Sequence, residues 1–72
     1  DDPAELAALD AAIALDQRDF MAWLRKAENC ERRGQHGAAL HAWNAAVQLS
    51  DAIRPLPAPL VPLIDHGRAF LD

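Results

Sequence analysis

FMAWLRKAENCERRGQHGAALHAWNAAVQLSD, residues 20–51, carries two apolar patterns of helical period on either side of one glycine. Phe20, Trp23, Leu24, Ala27 and Cys30 fall on one arc of a helix predicted from about Asp19 to Arg33, with Arg32 and Arg33 suited to its negative end. Gly34 follows, where a helix end favours a residue free to turn left-handed. From roughly His36 to Ser50, Ala39, Leu40, Trp43, Ala46 and Val47 line up on a second helix. Only a few residues separate the two, so they are expected to fold back as an antiparallel hairpin. Ala27, Ala39 and Ala46 let the helices approach closely, and the indoles of Trp23 and Trp43 fill the space beside them as core.

Upstream, Pro3 to about Asp16 reads as another amphipathic helix. Asp2 can cap it, Pro3 fits its first turn, Glu5 suits its positive end, and Leu6, Leu9 and Ile13 form its stripe. Downstream, Pro55, Pro57 and Pro59 break the helical pattern, and Asp51 to Ala58 reads as an extended connector. A last helix begins at about Pro59 or Pro62 and runs to Leu71, with Leu60, Leu63, Ile64, Gly67, Phe70 and Leu71 on its apolar arc. The expected fold is all-α, with about four helices in a single domain.

Sliding the chain against itself by 34 residues pairs Ala4 with Ala38, Leu6 with Leu40, Ala8 with Ala42, Leu9 with Trp43, Ala11 with Ala45, Ala12 with Ala46, Ile13 with Val47 and Leu15 with Leu49. Every pair is apolar with apolar, and this period of helix pairs is that of tetratricopeptide repeats. Residues 20–51 resemble that family position by position. Trp23 stands at its first aromatic, Ala27 at the small residue four later, Gly34 at the turn, and Ala39, Trp43 and Ala46 at the small, aromatic and small positions of the second helix. Lys26, Cys30 and Asp51 depart from the usual leucine, large aromatic and proline, and Gly37 sits where a helix former is usual. The resemblance implies one complete repeat over 19–50, a half repeat over 3–16, the proline-rich connector over 51–58 and a final or capping helix over 59–71.

What the family resemblance implies about function is binding without chemistry: the first helix of each pair lines a concave surface for peptides or partner helices. Met21, Arg25, Glu28 and Arg32, on the side of their helix away from Trp23 and Ala27, would face that partner, Met21 by apolar contact and Arg25 through a carboxylate. An ordinary solvated face, with Glu28 paired to Arg32 across one turn, is the reading favoured over it. Leu24 and Glu28 stand where relatives that clamp a terminal carboxylate carry Lys and Asn. More narrowly, AWLRKAENCERRGQHGAALHAWNAAVQLSD, the break RPLPAPL and the helix LIDHGRAFLD look like the region preceding the catalytic domain of bacterial aspartyl/asparaginyl β-hydroxylase-like oxygenases, which implies an accessory region of a larger enzyme as the alternative.

Composition sets the outer limits. At 72 residues and net charge −4, the chain is small and lacks the basic stripe of a nucleic-acid binder. The uncharged run Pro55 to Ile64 is interrupted by four prolines and is far short of the about 20 apolar residues a membrane helix needs. The lone Cys30 excludes an internal disulfide and reads as a buried thiol in a reducing compartment, taken as the cytoplasm. His36 and His41 are five apart and His66 lies on another helix, so no metal set is expected, and no nucleophile with a base, phosphate loop or paired carboxylates can be assembled, Ser50 included. No cofactor is expected, and the partners are a protein, a peptide or a second copy, since Leu6, Leu9 and Ile13 would be left open on one side.

Overall fold

A computed structural model of the protein describes residues 2–72, the side chain of Asp2 excepted, so the capping role expected of Asp2 lies outside the described residues. The chain forms four α-helices: α1 (Asp2–Leu15), α2 (Phe20–Arg32), α3 (His36–Ser50) and α4 (Val61–Leu71), the last entered through a 3₁₀ turn at Ala58–Leu60. Among the described residues there is no strand, and the fold is all-α.

The helix ends are set by local chemistry. Asp19 caps α2 by accepting the Ala22 N–H at 3.2 Å. At the other end Gly34 takes φ +72°, the Gln35 N–H reaches the Cys30 carbonyl at 2.9 Å and the Gly34 N–H reaches that of Glu31 at 3.0 Å. This paired closure satisfies carbonyls that the helix itself leaves open, and it needs a left-handed residue. The chain is then already at the entry to α3, where the Gln35 carbonyl accepts the Ala39 N–H.

The connector differs from the extended segment expected over Asp51 to Ala58. The N–H groups of Asp51, Ala52 and Ile53 bond to the carbonyls of Gln48, Leu49 and Ser50, so the end of α3 tightens into turns before it gives way. No proline lies before Pro55 to prevent this, and the last carbonyls of α3 gain partners by it. The Arg54–Pro55 peptide is cis, Pro57 is extended at φ −54° and ψ 136°, and Pro59 and Pro62 lie in the first turns that follow.

Backbones approach closely only between helices adjacent in sequence: α1 on α2, α2 on α3, and α3 on α4. The core is centred on α3, where Ala39, Ala42 and Ala46 are fully buried and Trp43 is 1% exposed, against Leu24, Ala27 and Cys30 of α2 and Ile64 of α4. Alanine at the crossing points shortens the distance between helices, and the one large ring fills what remains. Trp23, expected in the core beside Trp43, is only half-buried and packs at the core's edge. The inward positions of α4 and of the turn that leads into it repeat those of α2 at a spacing of 40 residues: Phe20, Trp23, Leu24, Ala27 and Cys30 correspond to Leu60, Leu63, Ile64, Gly67 and Phe70, each buried or half-buried.

Gly67 is where α4 comes closest to α3. A Cβ there would lie 2.6 Å from Cε3 of Trp43, within a ring already held on every side. Gly37, by contrast, has nothing within 4 Å of a Cβ, so its departure from a helix former costs propensity rather than packing. Gly67→Ala is expected to destabilise the fold by about 1–3 kcal/mol despite alanine's better helix propensity. Gly37→Ala is expected to stabilise it by a few tenths to about 1 kcal/mol. Urea midpoints of the two variants moving in the same direction would contradict this account of the α3–α4 contact.

Candidate functional site

Because each helix rests on the next, grooves open along the stack, and two of them are walled by α2. One, of about 340 Å³, runs between α2 and α4 above α3 and is lined by Glu28, Glu31, Arg32, Trp43, Leu63 and His66. The other, of about 480 Å³, is lined by Asp10, Ile13 and Ala14 of α1, by Gln17, by Trp23 and Lys26 of α2 and by His41 of α3.

The first groove is organised by the Glu31 carboxylate. Its Oε1 accepts the Trp43 indole N–H at 2.9 Å, and His66 Nε2 lies 2.8 Å from Oε1 and 3.0 Å from Oε2. An ionised carboxylate only accepts, so Nε2 of His66 carries the proton in this arrangement. The imidazole stands edge-on to Trp43 with ring centroids 5.5 Å apart, and Phe70 continues the aromatic layer between His66 and His36. Burial alone raises the Glu31 carboxyl, but the hydrogen bonds from His66 and Trp43 and the charge of His66 act against it and prevail, leaving Glu31 below the usual carboxylate range.

Of the four residues expected on the partner-facing stripe, Glu28 and Arg32 line this groove and Met21 and Arg25 do not. Met21 is 39% exposed and Arg25 is exposed, so both belong to the outer surface of α2. The pairing expected between Glu28 and Arg32 is replaced by a contact across helices. Arg32 Nη2 lies 3.3 Å from Glu5 Oε1, the oxygen that also accepts the Asn29 side-chain N–H at 3.1 Å. Glu5 thus joins α1 to α2 instead of only complementing the start of its own helix.

In the second groove the Trp23 indole N–H is held by the Gln17 carbonyl at 2.8 Å, its ring meets His41 edge-on at 5.5 Å, and Lys26 Nζ sits 5.6 Å above it while pairing with Asp10 at 2.7 Å. Lys26, a departure from the usual leucine, is accommodated because its ammonium has both an aromatic face and a carboxylate. Cys30 is a buried free thiol, and the buried Ser50 hydroxyl donates to the Val47 carbonyl at 2.6 Å. The three histidines occupy separate places: His66 on Glu31, His41 against Trp23, and His36 against Phe70 at 5.2 Å. Among the described residues no three metal-donor side chains come together, and no helix is long and apolar enough to cross a membrane.

Compared with known proteins, the chain matches no protein family, no curated protein and no solved structure. The Glu31, His66 and Trp43 cluster was missed from sequence. Its only advance signal is that a buried indole N–H demands an acceptor, which does not say which carboxylate supplies it.

The Glu31 shift fixes a pH dependence. A carboxyl more acidic when folded than unfolded contributes fully above its unfolded value, about 4.3, and that contribution fades as pH falls through the lower folded value. Glu31→Gln is therefore expected to lower stability at pH 7 by an amount on the order of 1 kcal/mol. The gap from the parent protein should close in acid, and urea titrations at pH 7 and pH 3 give the comparison. An equal gap at both pH values would show that the carboxylate's charge contributes nothing.

Proposed function

We propose that this chain is a non-catalytic protein interaction and self-assembly module of the tetratricopeptide type, a stack of helix hairpins that recognises a protein or peptide, or another copy of itself, by surface complementarity. The reading places it in a reducing compartment, the cytoplasm, in keeping with a lone cysteine, Cys30, that is buried.

One observation carries the proposal. Positions related by the 34-residue shift have different surroundings: Ala42 is buried and Ala45 and Leu49 are half-buried on α3, whereas Ala8, Ala11 and Leu15 on α1 are exposed. Leu15 is 90% exposed, the most open large apolar side chain described. Leu9 and Ala12 are half-buried and only Ile13 is buried, so α1 offers on its outer side a surface that on α3 is covered by a neighbouring helix. A helical stack open at one end is completed by a capping helix or by a neighbour. The recurrence of inward positions between α2 and α4 further supports a repeating unit, lengthened through the connector by six residues.

Light scattering over a roughly tenfold concentration range tests the assembly. The molar mass is expected to rise with concentration, and Leu15→Lys to hold it at the monomer value without loss of helicity. A constant monomer mass for the parent chain would remove self-assembly from the proposal.

A further inference from the structure

Four carboxylates of this molecule have partners from a neighbouring helix: Glu5 takes Arg32 and Asn29, Asp10 takes Lys26, Glu31 takes His66 and Trp43, and Asp51 takes Arg68. Asp65 and Asp72, both exposed, have no such partner among the described residues, and neither does Glu28. It is half-buried at the wall of the groove between α2 and α4, and among the described residues its carboxylate has neither ion pair nor hydrogen bond. The cation one turn away on its own helix, Arg32, is drawn across to Glu5. An unneutralised carboxylate thus borders a groove of about 340 Å³, a volume at the lower end of ligand-sized sites.

The rest of the lining narrows what fits. Leu63 and the edge of Trp43 offer apolar surface suited to an aliphatic stem, while the Glu31 carboxylate is already occupied by Trp43 and His66. Glu28 is the carboxylate of the lining whose acceptors are all uncommitted. We propose that the groove between α2 and α4 receives a single lysine or arginine side chain from an extended partner segment, its stem along Leu63 and its charge on Glu28. This rests on reading the chain as an interaction module and names the partner chemistry of one face of it.

The test is a nitrogen-15 NMR titration of the whole chain with blocked alanine pentapeptides whose central residue is arginine, lysine, norleucine or glutamate. Arginine and lysine peptides are expected to move the amides of Glu28 and Leu63 and the indole N–H of Trp43, leaving the Trp23 indole of the second groove unmoved. Norleucine and glutamate peptides are expected to bind about fivefold more weakly or less, the size of one partly exposed ion pair. Glu28→Gln, which removes no contact within the fold, should abolish the preference for the basic peptides and the salt dependence of their binding.

Equal binding by Glu28→Gln, equal binding of glutamate peptides, or shifts centred away from these residues would each overturn the proposal, as would no response to any basic peptide. Failure here leaves the mass measurement standing as the separate test of assembly. A constant monomer that still binds arginine peptides through Glu28 would reject assembly alone.

Discussion

The burial of Trp43 constrains most of what surrounds it. An indole sealed from water needs an acceptor for its N–H, and Glu31 provides one from α2. Its flat face needs a neighbour without a side chain, and Gly67 provides that from α4. Ala39, Ala42 and Ala46, small enough to vanish into the helix contacts, leave room for the ring on the buried face of α3. His66 then shares the Glu31 carboxylate, which ties α4 to α2 through side chains although those helices have no close backbone contact. One aromatic residue thereby sets the relation of three helices.

The same stacking explains why the surface is divided as it is. A helix resting on its neighbour leaves troughs beside it, one floored by Trp43 and another by Trp23. The Trp23 trough is filled from within, its aromatic face and its carboxylate both taken by Lys26. In the Trp43 trough the internal contacts stop short of Glu28. The contrast comes from which way each cation leans: Lys26 toward its nearest acid, Arg32 away from its own.

Features set by a few neighbouring residues could be read directly. Asp19 as a cap, Gly34 as a left-handed stop and the alanines at the crossing points follow from local backbone needs and helical period. Four helices follow with them, as does the burial of Cys30. The connector was misjudged because the prolines dominate its appearance, while the carbonyls left open by α3 govern residues 51–53. Trp23 and Trp43 look alike in sequence and differ in burial because α4 covers only one of them. Of the site, periodicity placed Glu28 and Arg32 on the side of α2 away from Ala27, but the groove they line has its other wall on α4, whose placement depends on Gly67 meeting Trp43. Nothing in the spacing of Glu31 and His66, 35 positions apart, announces that they touch.

Close backbone contact only between consecutive helices has a kinetic consequence. No distant segments must find one another before native contacts form, so little loop entropy stands in the way of folding and the chain belongs with the fast topologies. The same linear order lets the molecule come apart from its ends. α4 is fastened by Gly67 on Trp43, by His66 on Glu31 and by Arg68 on Asp51, and α1 by Glu5 on Asn29 and Arg32 and by Asp10 on Lys26. Local opening is thus expected at α1 or α4 before the α2–α3 pair at the centre of the stack separates.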